Sequence, residues 1–365
     1  MSTNHTVKIA VLGASGYTGG ELLRLIAAHP RMEVVAATAE KSVGASLASV
    51  FPSLATVLPP LTLEPVEIDS IATRADAVFL ALPHTKSLAS VAAFLKAGKH
   101  VVDLSADYRL KSAADYERWY NTPHTHQELL KEAVYGLPEL YRQDIQKTTL
   151  VASPGCYPTA AILQLAPLAA GGLIHPGSVV IDAKSGVSGA GRSPALAYHF
   201  PEAHESLEAY KIGRHRHIPE IEQELRFLGS RSRHSSNMSP RKDSAFQVMF
   251  TPHLVPMNRG ILSTAYCRLQ EPMEQEQLRT LYRDFYKGER FIRFAEGDAS
   301  PNPRHVRGAN FCDLNVFVDK RAGWVVTVAA LDNLIKGAAG QALQAMNLML
   351  GFPEEMGLTG AGVFP

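Results

Sequence analysis

One cysteine stands in a stretch whose residue types suit nucleophilic chemistry. Leu150–Ala152 is a strand-like apolar run, Pro154 and Gly155 follow as a turn, and Cys156 comes next. Pro158 then occupies a position that the first turn of a helix tolerates. Cys156 should therefore lie at or just before a helix N-terminus, where free N–H groups and the helix dipole favour a thiolate. Because a buried structural cysteine needs no such turn, we predict a nucleophile.

Two histidines precede another predicted helix. His215 and His217 lie just before Pro219, which we expect to open a helix that runs to about Phe227. An imidazole beside a helix N-terminus is held towards its neutral form, which suits a general base near neutral pH. We choose His217 over His215 because it is closer to the helix. The pair also resembles half of a metal site, but no carboxylate or cysteine follows at a ligand spacing, so no metal is predicted.

A glycine-rich turn near the chain start predicts a dinucleotide site. Val7–Leu12 is strand-like, a helical pattern covers Glu21–Ala28, and the glycines between them are spaced Gly-x-x-Gly-x-x-Gly. Such a turn lets backbone amides at a helix N-terminus approach a pyrophosphate. A tight strand-to-helix turn without a ligand is the alternative. The cofactor residues assigned here are Gly13, Ser15, Gly16, Tyr17, Thr18 and Gly19.

The second predicted strand, Glu33–Ala37, leads to the expected position of the adenosine ribose. Glu40 favours a free 2′-hydroxyl, whereas Lys41 with neighbouring hydroxyls favours a 2′-phosphate. We predict NADP(H), held by Thr38, Lys41 and Ser42.

Two further predicted strands end in polar clusters. Ala77–Ala81 is followed by Leu82 and Pro83, and His100–Asp103 is followed by a segment that ends at Arg109. Ligands collect at the carboxyl ends of parallel strands, so we expect both clusters to line one crevice. We assign Leu82 and Pro83 to the cofactor. Arg109 is assigned to a substrate anion, with a surface salt bridge as the alternative.

A second glycine-rich loop follows the predicted strand Ser178–Lys184. Residues 185–192 contain three glycines, and Lys184 and Arg192 flank them. Backbone amides and two cations together form a candidate anion site, and a flexible surface loop is the alternative. We assign Ser185 and Gly186 to the cofactor. The substrate contacts predicted in the second half of the chain are Lys184, Ser188, Arg192 and His215.

Composition favours small-molecule chemistry. The chain of 365 residues has 36 basic and 35 acidic residues, so its charge gives no pull towards nucleic acid or a membrane surface. Its three cysteines have no Cys-x-x-Cys spacing, which favours a reducing compartment. The N-terminus lacks a signal-peptide pattern, and no apolar run reaches the roughly 20 residues of a membrane span. We expect a cytoplasmic protein that binds neither nucleic acid nor membrane.

The order of strands and helices predicts two domains. Alternating strands and helices predict an α/β, Rossmann-type parallel sheet for residues 1–157. Uneven strands predict an α+β catalytic domain with a mixed or antiparallel sheet for residues 158–332. Small residues in 333–365 permit close packing, so we expect a C-terminal helix that returns to the first domain. Gly229–Ser244 is rich in Ser and Arg and predicts an exposed, mobile loop without an assigned role.

Together these features predict covalent hydride chemistry on a carbonyl. Attack by the Cys156 thiolate on an activated acyl group expels the leaving group and gives a thioester, which accepts a hydride and leaves as an aldehyde. In this scheme His217 accepts and donates protons as a general acid/base. Backbone N–H groups near Cys156 stabilise the oxyanion.

The chain resembles the N-acetyl-gamma-glutamyl-phosphate reductases of arginine biosynthesis, a family related in fold to aspartate-semialdehyde dehydrogenase. The resemblance covers nearly the whole chain. It rests on residues 13–19, 103–109, 153–159, 184–191, 215–220, 250–256 and 332–334.

The resemblance implies NADPH-dependent, reversible conversion of N-acetyl-L-glutamyl 5-phosphate to N-acetyl-L-glutamate 5-semialdehyde and inorganic phosphate. It implies that Cys156 is the nucleophile and His217 the acid/base, with Glu220 as a supporting carboxylate and Asn333 near the nicotinamide. It further implies a homodimer or homotetramer assembled through the second domain, which thus becomes a catalytic and dimerisation domain.

Two features depart from the family pattern. Ala39-Glu40-Lys41 is not the Ser/Arg pattern associated with 2′-phosphate binding, and Gly229–Ser244 resembles an insertion. A related acyl-phosphate reductase acting on an aminoadipyl or aspartyl phosphate is the nearest alternative. An NADP-binding redox sensor that uses Cys156 as a switch is a more distant one.

Overall fold

The structure is a computed structural model that describes residues 6–175, 177–231 and 246–364. The chain divides into two compact units. The first contains Met1–Gly155 and Ala338–Ala361, and the second contains Cys156–Gly337 and Gly362–Pro365. The chain thus passes from one unit to the other directly before the predicted nucleophile.

The first unit is built on short, mostly buried strands. In the described part of the chain these are β1 Val7–Leu12, β2 Met32–Ala37, β3 Ala77–Leu80, β4 His100–Asp103, β5 Val134–Tyr135 and β6 Leu150–Ala152. Their order is β2-β1-β3-β4-β6-β5, and all neighbours are parallel. Parallel sheets are covered on both faces, which is why these strands read as continuous apolar runs. The prediction of a Rossmann-type parallel sheet is confirmed.

Helices connect these strands and cover the sheet. Their ranges are α1 Tyr17–Ala27, α2 Leu47–Val50, α3 Ile68–Arg74, α4 Leu88–Lys96, α5 Ala113–Tyr120, α6 Leu129–Glu132 and α7 Pro138–Ile145. In α4, Leu88, Val91 and Phe94 recur every three residues, and all are buried in one apolar cluster with Val78 and Leu80 of β3. This periodic apolar face explains why the segment is helical and where it packs.

The second unit is built on a mixed sheet. In the described residues its strands are β7 Val179–Gly186, β8 Glu208–Ala209, β9 Val248–Val255, β10 Ile261–Cys267, β11 Ile292–Phe294, β12 Cys312–Asp319 and β13 Trp324–Leu331. Their order is β11-β12-β13-β10-β7-β9-β8. The pairs β7/β9 and β11/β12 are parallel, and the other neighbours are antiparallel. The prediction of a mixed or antiparallel sheet is confirmed.

The helices of the second unit are α8 Cys156–Ala170, α9 Phe200–Ala203, α10 Ile218–Arg231 and α11 Gln275–Phe285. Helix α10 begins one residue before Pro219 and runs past Phe227, where the sequence predicts its end. Its last turn therefore includes the first three residues of the predicted loop Gly229–Ser244. Residues 232–244 of that loop lie outside the described residues.

Helix α8 is buried almost throughout its length. The Gln164 side-chain amide donates to the Ser263 hydroxyl of β10 at 2.8 Å, so the helix lies on the sheet face that carries Ser263. Pro167 has no N–H, and the carbonyl oxygen of Leu163, four residues earlier, therefore lacks its helical donor. The Tyr286 hydroxyl donates to this oxygen instead. A buried carbonyl thus keeps a hydrogen bond despite the proline.

A helix from the C-terminal part of the chain belongs to the first unit. This helix, α12 Gly340–Met349, follows the last strand of the second unit. The Gln341 side-chain amide donates to the carbonyl oxygen of Gly136 at 2.8 Å, and Asn347 Oδ1 lies 3.0 Å from His29 Nε2. The prediction that a C-terminal helix returns to the first domain is confirmed.

Tyr286→Phe should lower the free energy of unfolding by about 1–3 kcal/mol, because the buried carbonyl oxygen of Leu163 is left without a donor. Tyr282→Phe is the matched control. The Tyr282 hydroxyl donates to the carbonyl oxygen of Gln164, whose helical donor at Leu168 remains, so we expect a loss of only about 1 kcal/mol. Urea unfolding followed by far-UV circular dichroism measures both, and equal losses would contradict this explanation.

Candidate active site

The first candidate region is the turn between β1 and α1. Gly13 has φ +79°, and Gly16 is the N-cap of the helix that begins at Tyr17. The N–H of Gly16 donates to the carbonyl oxygen of Gly13 at 3.2 Å and closes the turn. The N-terminal amides and the dipole of α1 favour an anion here, and Ser15 and Thr18 are half-buried beside them. The turn therefore fits the phosphates of a dinucleotide.

Two positions of this turn require glycine because there is no room for a Cβ atom. A Cβ on Gly13 would lie 2.4 Å from the carbonyl oxygen of Ala81, and a Cβ on Gly19 would lie 2.4 Å from that of Gly13. The turn thus packs directly on the end of β3, where Leu82 and Pro83 follow. Leu82 is half-buried and Pro83 is exposed. The structure therefore brings the two predicted cofactor segments together, while their contact with the cofactor stays a prediction.

The residues predicted to reach the adenosine ribose lie at different depths. Lys41 is exposed and Ser42 is half-buried. Thr38 is fully buried, and its hydroxyl accepts the N–H of Gly13 at 3.3 Å while its carbonyl oxygen accepts that of Ala14 at 2.8 Å. Thr38 therefore supports the glycine turn. The cofactor contacts of Thr38, Lys41 and Ser42 stay predictions.

Strand β4 ends in a cluster of buried carboxylates. The Asp107 carboxylate accepts the N–H groups of Thr85 and Ser87, in the loop after β3, at 2.7 and 2.9 Å. Asp103 is fully buried, and burial together with the charge of Asp107 raises its pKa to about 6. The cluster fixes the backbone of the loop that follows β3.

Arg109 is 4% exposed and is held by backbone oxygens. Its Nε donates to the carbonyl oxygen of Ser153 at 2.7 Å, and its Nη2 donates to that of Leu104 at 2.8 Å. Ser153 begins the turn that precedes Cys156. The guanidinium therefore holds this turn within the first unit, and its predicted contact with a substrate anion stays a prediction.

Cys156 is partly buried and is the first residue of α8. The amides and the dipole at a helix N-terminus favour a thiolate at this position. A π-helical turn, Ile335–Ala339, passes close by, and a Cβ on Gly337 would lie 2.8 Å from the Cβ of Cys156. Position 337 therefore requires glycine. π-Helical turns occur frequently at functional sites.

An aromatic side chain links the cysteine to the histidine segment of the second unit. The ring centroid of Tyr157, next to Cys156, lies 5.8 Å from that of His215 and 6.0 Å from that of His217. The Tyr157 hydroxyl accepts a hydrogen bond from the Tyr210 hydroxyl at 3.2 Å. The tyrosine next in sequence to the predicted nucleophile thus contacts the ring of the predicted base.

Helix α10 starts directly after His217. Glu220 is buried in its first turn, where a negative charge meets the positive end of the helix dipole. The Glu220 carboxylate therefore lies in the helical turn that directly follows His217, the predicted base. Its support of His217 stays a prediction.

Asn333 ties two loops of the second unit together. Its Oδ1 accepts the N–H of Gly260 at 2.7 Å, and its Nδ2 donates to the Ser188 hydroxyl at 3.0 Å. Gly186 lies against the same region, since a Cβ there would be 2.6 Å from the carbonyl oxygen of Asn258. One connected group thus holds a set of predicted site residues, namely Ser185, Gly186, Ser188 and Asn333. Their contacts with ligands stay predictions.

The two predicted cations of this region are placed differently. Side chains alternate along β7, so Lys184 lies on the sheet face opposite Ser185, and its ammonium pairs with the Asp182 carboxylate. His253 Nδ1 lies 3.4 Å from the same carboxylate. Arg192 is exposed. The structure does not bring these cations into the group around Asn333, and their substrate contacts stay predictions.

Three residues of this region are absent from the sequence prediction. Tyr157 has a signal in the sequence, since it directly follows Cys156. Gly337 has a weaker one, because it belongs to a run of small residues. Tyr210 has no signal in the sequence, because it contacts Tyr157 only through tertiary packing.

The described residues contain no group of three or more His, Cys, Asp or Glu side chains that could hold a metal ion. In the same residues, no helix combines the length and the apolar character needed to cross a membrane.

Comparison with known proteins gives the family. The model of the semialdehyde dehydrogenase NAD binding domain matches residues 8–148, and that of the semialdehyde dehydrogenase dimerisation domain matches residues 156–333. The N-acetyl-gamma-glutamyl-phosphate reductase of Geotalea daltonii is 51% identical over 98% of this chain and 100% of its own length. The chain belongs to the N-acetyl-gamma-glutamyl-phosphate reductase family. The reductase of Pelotomaculum thermopropionicum is 46% identical over 98% of this chain and 99% of its own length.

Solved structures outside the reductase family share the fold. Aspartate semialdehyde dehydrogenase II of Vibrio cholerae, complexed with ASA, superimposes with a TM-score of 0.69 at 15% identity over 95% of this chain and 99% of the other. Aspartate semialdehyde dehydrogenase of Candida albicans, solved with NADP, gives a TM-score of 0.68 at 16% identity over 94% and 98%. At these identities the likeness concerns the fold alone.

Gly13→Ala should weaken NADPH binding by about tenfold or more, because the added Cβ displaces the amides that would face the pyrophosphate. Gly360→Ala is the control, since a Cβ there has no neighbour within 4 Å. Fluorescence titration with NADPH measures both affinities. Parental affinity in a folded Gly13→Ala variant would contradict the assignment of this turn.

Proposed function

We propose that the protein reduces N-acetyl-L-glutamyl 5-phosphate to N-acetyl-L-glutamate 5-semialdehyde with NADPH, as a reversible step of arginine biosynthesis. Relatives that are 46–51% identical over nearly the full chain are N-acetyl-gamma-glutamyl-phosphate reductases, which supports this substrate and reaction. None of the three cysteines, Cys156, Cys267 and Cys312, forms a disulfide, which suits the reducing conditions of the cytoplasm.

The placement of Cys156 is the observation that carries the proposal. A cysteine that begins a 15-residue helix meets free amides and the positive end of a dipole. His217, whose ring contacts that of the neighbouring Tyr157, takes the thiol proton in this scheme. The thiolate attacks the acyl carbon, the bond from that carbon to the phosphate oxygen breaks, and inorganic phosphate leaves. The acyl group then remains on Cys156 as a thioester.

The cofactor residues have defined tasks in this scheme. The amides of residues 13–19 would hold the pyrophosphate, and Lys41 with Ser42 would receive the 2′-phosphate. When bound, NADPH supplies the hydride that reduces the thioester carbonyl. Cleavage of the carbon–sulfur bond then releases the aldehyde and returns Cys156 to the thiolate. Amides at the start of α8 stabilise the oxyanion in both steps.

A phosphate-dependent assay tests the reaction in its oxidative direction. The protein is incubated with N-acetyl-L-glutamate semialdehyde, phosphate and NADP, and the reduced cofactor is followed by absorbance. Parallel reactions contain NAD, aspartate semialdehyde or the aminoadipate analogue. We expect signal with the first aldehyde and NADP. Turnover of another aldehyde in its place would reject the proposed substrate.

Cys156→Ser should reduce turnover by at least about a thousandfold, because the hydroxyl is a far weaker nucleophile than a thiolate. NADPH affinity, measured by fluorescence titration, should stay within about twofold of the parent because the turn around Gly13 is unchanged. Substantial residual turnover would rule out the covalent mechanism.

We further propose that two copies of the chain associate through one face of the second-unit sheet. In the described residues α8 lies on the face of Ser263, whereas the opposite face carries a row of aligned apolar side chains. The row crosses five strands through Met249, Val180, Tyr266, Val326 and Phe317. Exposed apolar surface of this kind favours protein association. The match of this segment to a dimerisation domain supports the same assignment.

Met249→Asp should raise the dimer dissociation constant by about 100-fold, because a carboxylate would be buried without a partner. Met249 is 65% exposed in the single chain, so the variant should fold. Sedimentation velocity measures the dissociation constant, with Gln143→Asp on the exposed side of α7 as control. An unchanged dissociation constant would exclude this face as the interface.

A further inference from the structure

His215 lies in an aromatic enclosure beside the predicted base. It is 8% exposed, and its ring centroid lies 5.6 Å from that of Tyr210, 5.4 Å from that of Phe250 and 4.6 Å from that of His217. Tyr157 approaches from a further side with a centroid distance of 5.8 Å. These contacts bury the imidazole on several sides, so its role must differ from that of an exposed histidine.

The His215 ring has one defined hydrogen bond. The backbone N–H of His217 donates to His215 Nδ1 at 3.2 Å. A nitrogen that accepts a hydrogen bond carries no proton, so the imidazole in this arrangement is neutral. The bond spans two residues, as in the turns that Asn and Asp side chains form with the backbone two positions ahead.

The other backbone contacts of this segment start α10. The carbonyl oxygen of His215 accepts the N–H of Ile218 at 3.0 Å, and that of His217 accepts the N–H of Ile221 at 3.1 Å. Both polar backbone groups of His217 are therefore engaged, one by the His215 ring and the other by the helix. The direction in which the His217 side chain leaves the backbone is set by these two bonds.

We propose that His215 is a positioning residue that acts as a neutral hydrogen-bond acceptor and aims the His217 imidazole for proton transfer. This inference rests on the proposed function, in which His217 is the acid/base. It assigns His215 neither proton transfer nor charge pairing with the substrate. Another side chain that places a hydrogen-bond acceptor at the same position should therefore preserve the function of His215.

The charges around His215 favour the neutral form. Burial lowers its pKa to about 3, and the positive charges of Lys211 and Arg216 add to this effect. The titratable groups that face the ring from other segments are the hydroxyls of Tyr157 and Tyr210, and burial raises the pKa of both phenols, that of Tyr210 to about 12. His215 thus stays neutral from pH 5 to 9. Replacement of His215 should therefore not shift the pH profile of the reaction.

Two substitutions test whether the acceptor on this side chain is what matters. His215→Asn keeps an oxygen able to accept the N–H of His217, whereas His215→Leu has no acceptor. We expect His215→Leu to lower kcat by about tenfold, with the substrate KM and the NADPH affinity within about twofold of the parent. His215→Asn should keep kcat within about threefold of the parent and keep the parent's pH profile. If the leucine variant does not fold, His215→Ala takes its place.

Three outcomes would overturn the inference. The first is an asparagine variant as slow as the leucine variant, since the imidazole would then do something that an amide cannot. The second is a leucine variant as fast as the parent. The third is a shifted pH profile in the asparagine variant, which would make His215 itself a titrating group in turnover.

His217→Asn in the same assay separates this inference from the proposed function. If the parent protein does not turn over the semialdehyde, or if His217→Asn is as fast as the parent, the proposed function or its base is wrong. If the parent is active and only His217→Asn is slow, the proposed base stands and the positioning role of His215 is wrong.

Discussion

The burial of α8 is the constraint on which the catalytic half of the structure depends. Because nearly every residue of this helix is covered, its axis and its first residue have little freedom, and its first residue is Cys156. Burial creates a difficulty at Pro167, which removes the helical donor to Leu163. The fold resolves it with the hydroxyl of Tyr286, which follows α11 directly. The nucleophile is therefore positioned by contacts far from it in sequence.

Close approach of backbones is the second organising feature, and glycine makes it possible. In the first unit the turn after β1 packs on the end of β3, which leaves no Cβ space at Gly13 or Gly19. In the second unit a π-helical turn reaches Cys156 only because residue 337 is glycine. Glycine thus permits close packing at both candidate sites, where a Cβ atom would collide with a neighbouring segment.

Three of the predicted site residues hold backbone groups of the segments around the sites. Thr38 holds the glycine turn, Arg109 holds the turn before Cys156, and Asn333 joins two loops. A buried polar group must find a partner, and the partners available here are backbone groups of the segments that surround the sites. These backbone contacts do not test the assignment of Thr38, Arg109 and Asn333 to ligands, which stays a prediction.

The sequence by itself determined the elements and the two fold classes. Apolar runs, glycine turns and helix periodicity are local properties, so they located β1, β4 and the helix start at Cys156. The tertiary structure alone decided which face of β7 carries Lys184, how Tyr210 reaches Tyr157, and that the His215 ring accepts the N–H of His217. These relations arise when segments distant in the chain pack together and buried polar atoms choose partners. Residue spacing does not specify these hydrogen-bond partners, because they depend on which polar groups are buried once the core has formed.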